Sequence, residues 1–271
     1  MTPTYDALVR ARKACRICIE RSPGRLRSCA EFDFDPEVVS HWEQWLGHRR
    51  PKLLLVGQDF GNVDYFVRCH GRDEPGNPTN ANLHRLLEAA GIPVKAPPGS
   101  DPDAPVFATN SILCLKEGKM SSAIRSSWVD RCADAHLMPL VRFLRPPIVV
   151  AMGVQAWRAV RRVFALDDTP MRVSEAAGGD WVAADGTRVF AVGHPGPLGL
   201  TNRPWAQQLA DWRHIGTAFY GNAVTPRRRR SAAHPSQAQP AKPAASRAPE
   251  STGASAQRRA HRVRSARTDS A

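Results

Sequence analysis

The sequence predicts an α/β protein: a three-layer α/β/α sandwich around a central four-stranded, largely parallel sheet. Three observations carry this. Four apolar runs (residues 53–56, 106–114, 148–152 and 189–192) have the length and hydrophobicity of strands buried on both faces. Segments with helical spacing alternate with them, the pattern of a parallel sheet covered on both sides. At 271 residues the chain is long enough for one sizeable core plus a tail.

Taken in order, residues 5–19 form a helix with Ala7, Leu8, Ala11, Ala14 and Cys15 on one face. Cys15-Arg16-Ile17-Cys18 lies at or just past its end. Cysteines three apart can point their sulfurs at one ion. Such a pair is also a redox motif, but no thioredoxin-like strand precedes it. Asp35 and Pro36 start a short amphipathic helix over 36–47. The first strand ends in Gly57-Gln58-Asp59-Phe60-Gly61, where Asp59 suits either a turn or cap or a strand-end ligand site. Residues 61–80 read as a long polar loop, of the length that is usually functional. A helix over 82–90 is closed by Gly91 and Pro93.

The second strand, residues 106–114, is interrupted by the polar pair Thr109-Asn110. Such a pair costs desolvation unless it bonds something. After a polar loop, a helix spans 128–144 and stops at Pro146-Pro147. The third strand, 148–152, leads through Gly153 into a helix over 154–164. Residues 168–187 are a hairpin or loop around Trp181. The fourth strand, 189–192, runs straight into Gly193-His194-Pro195-Gly196-Pro197-Leu198, and a last helix covers 201–217.

Charge divides the chain. Residues 226–271 hold eleven Arg or Lys against two acids, a balance of +9 that leaves +4 of the total +13 for the rest. Almost devoid of large apolar residues, residues 221–271 read as a disordered basic tail behind a folded domain over 1–220. Such an arm suits a polyanion, or serves only as a solubilising extension. No run is long enough to span a membrane, and the first residues carry no signal-peptide pattern, so the expectation is a cytoplasmic protein with no membrane partner. Six cysteines are then thiols or metal ligands rather than disulfides.

In a parallel sheet the carboxyl ends of the strands share one edge, so Asp59, Asn110 and His194 can converge. This combination resembles the uracil-DNA glycosylase superfamily over residues 10–217. Gly57-Gln58-Asp59 resembles its water-activating motif, and Thr109-Asn110-Ser111 the strand bearing the uracil-reading Asn. Ile148–Gly153 with Gln155-Ala156-Trp157 resembles its third strand and helix. His194-Pro195-Gly196-Pro197-Leu198 resembles its His-Pro-Ser-Pro loop. Cys15, Cys18, Cys114 and Cys132 match the four-cysteine pattern of the branch that holds a [4Fe–4S] cluster. A tetrahedral zinc would accept the same ligands, and the resemblance favours the cluster. Cys29 and Cys69 fall outside the pattern.

The resemblance implies hydrolysis of the N-glycosidic bond of uracil, and of other deaminated bases, in single- or double-stranded DNA by a monomer acting in base-excision repair. Asp59 would orient water and stabilise the sugar cation. His194 would hydrogen-bond the leaving base, and Asn110 would read its edge. Gly57, Gln58 and Phe60 would complete the substrate pocket. Pro195, Gly196, Pro197 and Leu198 would enter the groove, with Leu198 as the apolar wedge. Two aromatic signatures are replaced. Gly61 stands where the cluster-free branch has a thymine-excluding Tyr, and Thr79 follows Gly76-Asn77-Pro78 where the cluster-bearing branch has a stacking Phe. The competing reading is a protein of the same fold that binds nucleic acid without cleaving, or traps the sugar covalently through His194.

Overall fold

A computed structural model describes residues 3–40, 45–95 and 101–221. The chain divides into the units Met1–Arg227 and Arg228–Ala271. Apart from Gly221, the basic tail expected from residue 221 lies outside the described residues, as do residues 41–44 of the helix expected over 36–47. Residues 36–40 of that segment are not helical.

The elements follow in order. Helices α1 (Tyr5–Ala14) and α2 (Ile17–Arg21) precede β1 (Leu26–Arg27), β2 (Leu53–Gly57), α3 (Val63–Arg68) and α4 (Pro78–Ala89). Then come β3 (Val106–Asn110), β4 (Leu115–Lys116), α5 (Ser126–Cys132) and α6 (Met138–Leu144), β5 (Ile148–Met152) and α7 (Val154–Val163). Last are α8 (Val173–Ala176), β6 (Trp181–Val182), β7 (Arg188–Val192), α9 (Pro197–Asn202) and α10 (Trp205–Tyr220).

The main sheet has the order β3-β2-β5-β7-β6. Its four long strands are parallel, as expected. The correction is a fifth strand, β6, which pairs antiparallel with β7 at the edge. It is two residues long and packs half-exposed Trp181, so it leaves no apolar run in the sequence. Alternation along each strand explains the unbroken hydrophobicity. Leu54, Val56, Val149 and Ala151 face a layer that includes α1, α5, α6 and α7. Leu53, Leu55, Val150 and Phe190 face α4 and α10. Both faces are buried, so both are predominantly apolar, with Thr109 and Asn110 at the end of β3 as the exception.

Several boundaries differ from expectation for local reasons. The first helix breaks at Cys15, whose backbone is extended, so Cys15 and Cys18 straddle a bend between α1 and α2. The second strand stops at Asn110 rather than Cys114. The segment read as a loop over 61–80 contains α3 and the start of α4, capped by the side chains of Asn62 and Asn77. A π-helical segment, Ala133–Leu137, joins α5 to α6 directly after Cys132.

α10 and α4 approach closely because Gly216 has no side chain. A Cβ there would lie 2.3 Å from the Ala90 carbonyl oxygen. We expect Gly216→Ala to destabilise the fold by about 1–3 kcal/mol, measured by urea denaturation, because backbone cannot move aside as a flexible side chain can. Unchanged stability would show that this contact is not tight.

Candidate active site

The carboxyl ends of β2 and β7 open onto a cleft of about 930 Å3. Gln58, Asp59, Phe60 and Gly61 line it from the turn after β2, and His194, Gly196, Pro197 and Leu198 from the turn after β7. Gly57 and Asn110 do not line it. They pair side by side at the ends of β2 and β3.

Asp59 is built into its turn. The Gly61 N–H donates to Oδ1 at 2.7 Å, and Gln58 Nε2 donates to Oδ2 at 2.9 Å. Lys116 Nζ lies 3.2 Å from Oδ2, with the two side chains only 4% and 6% exposed. The same ammonium donates to the Met120 carbonyl at 2.7 Å. Two hydrogen-bond donors and a buried ammonium therefore converge on one carboxylate and fix its orientation toward the cleft.

Sequence reasoning missed Lys116, which sat at the start of an apparent polar loop. It is buried because β4 pairs with β1, registering Lys116 against Leu26, while its backbone N–H donates to the Gly61 carbonyl. Nothing local in the sequence signals that pairing.

Met120 was also missed. Gly61 has φ +87°, and a Cβ at that position would lie 2.8 Å from Met120 Sδ. The thioether fills the space that an aromatic at position 61 would claim. Tyr65 stands nearby in a polar network of its own: its hydroxyl accepts from the Glu74 N–H at 2.8 Å and from Asn77 Nδ2 at 3.1 Å. On the other wall, a Cβ at Gly196 would lie 2.9 Å from Thr79 Oγ1, so Thr79 packs against the turn after β7.

His194 is half-buried. The Gly196 N–H donates to its Nδ1 at 3.0 Å, which assigns the proton of the neutral ring to Nε2. Burial lowers the His194 pKa below the ordinary histidine value of 6.5, and the neighbouring Asp59 charge opposes this. Its turn is pinned from two helices. Asn82 Nδ2 on α4 donates to the Pro195 carbonyl at 2.9 Å, and Gln208 Nε2 on α10 donates to the His194 carbonyl at 3.3 Å. Arg203 and Asp211 pair bidentately beside them. Of the four residues expected to enter a groove, Pro195 and Gly196 are buried, while Pro197 and Leu198 are exposed.

A family model for the uracil DNA glycosylase superfamily matches residues 45–213. The chain belongs to the uracil DNA glycosylase superfamily. It is also 29% identical over 214 residues to a type-5 uracil-DNA glycosylase of Pyrobaculum aerophilum, a match covering 69% of this chain and 87% of that protein. Membership supports a glycosylase-type hydrolase acting on DNA. No helix among the described residues is long and apolar enough to cross a membrane.

Within this superfamily fold, Asn110 is conspicuous. It is 1% exposed, and neither its Oδ1 nor its Nδ2 has a hydrogen-bond partner. Leaving a buried polar group unpaired costs about 1–3 kcal/mol. Away from the cleft, Cys15, Cys18, Cys114 and Cys132 line one cavity together with Arg12 and Arg131. The Leu113 N–H donates to Cys132 Sγ at 3.4 Å. Burial raises the thiol pKa values of Cys18 and Cys132 and pushes Cys114 up to about 12. Among the described residues, no three or more His, Cys, Asp or Glu side chains gather as a single bound ion requires. Cys29 and Cys69 do not line the cavity.

Proposed function

We propose that this protein is a DNA glycosylase that removes uracil, and other deaminated bases, by flipping the nucleotide into the cleft and cleaving its N-glycosidic bond with water. The observation that carries this is Asp59 and His194 facing one cleft with complementary groups: a carboxylate fixed by two hydrogen bonds and an ion pair to Lys116, and an imidazole that accepts at Nδ1 and presents Nε2–H.

The roles follow from charge. As the bond breaks, the sugar becomes cationic and the base anionic. The Asp59 carboxylate orients the attacking water and stabilises the sugar cation. The His194 Nε2–H donates to the base oxygen on which negative charge grows, and a donor already in place needs no reorganisation at that moment. The unpartnered amide of Asn110, donor and acceptor together, has the chemistry to read a base edge, a role that requires the cleft to reach the end of β3, where the amide is now buried behind the lining. Met120, flexible and polarisable, forms part of the wall at Gly61. A side chain that adapts its shape is consistent with a range of bases wider than uracil.

The four cysteines would hold a [4Fe–4S] cluster. A cuboidal cluster binds each thiolate to a different iron, so its sulfurs stand farther apart than around one zinc. The support for this reading is that all four cysteines line one cavity. When bound, the group would tie the bend between α1 and α2 to the segment after β3 and to the end of α5.

The test is a uracil-containing oligonucleotide, single- and double-stranded, assayed for abasic product across pH. Cleavage is expected, with an acid limb below pH 6.5. Because burial lowers the His194 pKa, the ring stays neutral until the pH falls past its ordinary value, and activity is lost only below that. His194→Asn should abolish that limb. Absence of abasic product alongside active controls would refute the assignment. A covalent adduct on denaturing gels, lost in His194→Asn, would favour sugar trapping instead.

A further inference from the structure

Of the large apolar side chains exposed among the described residues, four line the candidate active-site cleft: Met120, Val154, Met171 and Leu198. Exposed apolar side chains concentrated on one surface mark an interaction site. Two of them are the most exposed. Leu198, on α9, is 78% exposed, and Met171, on the segment between α7 and α8, is 70% exposed. They come from different stretches of chain, one before β7 and one after it.

We infer that Met171 is a second wedge, which with the adjacent Arg172 engages duplex DNA at the rim of the cleft. The inference rests on the glycosylase reading and extends it to strand preference. Extruding one nucleotide leaves a gap in the stack and an unpaired opposite base, so more than one apolar face loses its partner. Leu198 can fill only one of these. Met171 supplies a second long apolar side chain at the same rim, and a thioether covers a base face without needing a fixed shape.

Charge selects the partner. The Arg172 side chain is 81% exposed, and its ion pair is a loose one with Glu175 at 3.5 Å, itself 55% exposed. A pair so exposed contributes little, so the guanidinium exchanges it readily for a phosphate. Arg203, which also lines the cleft, is already committed to Asp211. An apolar tip beside an available cation matches the alternation of base and phosphate along a strand.

The experiment compares kcat/KM on double- and single-stranded uracil oligonucleotides for the full chain and for Met171→Ala, Met171→Leu and Met171→Gln. The double- to single-strand ratio is expected to fall about tenfold in Met171→Ala and Met171→Gln. Met171→Leu should retain most of it, because an apolar tip and not mere length is required. A ratio unchanged in Met171→Ala, or equal losses on both substrates, would overturn the proposal. If the parent protein cleaves neither substrate, the glycosylase reading fails separately. The wedge is then read from the fluorescence of 2-aminopurine placed beside an abasic site in a bound duplex. A smaller increase with Met171→Ala supports the wedge, and an identical increase refutes it.

Discussion

Replacing Asp59 by Asn is expected to slow cleavage of a uracil oligonucleotide by about 10²- to 10⁴-fold. Asn keeps the shape but removes the charge that would balance the sugar cation. The same change leaves Lys116 buried beside a neutral amide, and breaking a buried pair on one side costs about 3–5 kcal/mol. The single variant therefore confounds chemistry with stability. Asp59→Asn combined with Lys116→Met separates them, because it removes both charges. The double variant is expected to recover much of the lost thermal stability and none of the lost rate. Recovery of cleavage in the double variant would show that Asp59 acts only through packing.

The second large effect concerns the cysteine cavity. Protein purified without oxygen is expected to be brown and to carry about four irons per chain. Cys132→Ala should lose both, because the cavity would then offer three thiolates. Binding free energy at such a site counts as folding free energy, so the variant should also melt earlier and expose the α1–α2 bend to proteolysis. A colourless parent protein with one zinc per chain would overturn the cluster assignment. Leu113 is bonded through its N–H to Cys132 Sγ and leads directly to Cys114. The damage is therefore expected to reach the segment after β3 and not to stop at the helix that carries Cys132.

How much of this was readable in the sequence varied with the kind of signal. Double-sided burial disfavours polar residues, so β2, β3, β5 and β7 stood out as apolar runs, β3 up to its polar end at Thr109-Asn110. β6 did not, because an edge strand of two residues needs neither length nor hydrophobicity. The helices α3 and the first turn of α4 were hidden by Gly, Asn and Pro, which suit caps as well as loops. Asp59 and His194 were legible because each follows a recognisable strand. Lys116 and Met120 were not, since both sit in a segment whose local composition is that of a solvated loop.

Asn110 shows the divide most sharply. Its polarity inside a strand marked it as unusual, and the structure adds that both amide atoms are buried and unpartnered. The cleft lining does not include it, which no sequence pattern had indicated.

Periodicity and motif order alone determined the α/β class, the strands at whose ends function would lie, and the family to which the chain belongs. These are properties of short stretches, fixed by which side chains can be buried. Only the tertiary structure decided that Lys116 grips Asp59, that Met120 occupies the space above Gly61, and that Met171 and Leu198 share a rim. Each of these joins residues distant along the chain or carried on different loops. Such contacts are set by how packed layers place those loops, a constraint that leaves no trace in the local composition of any of them.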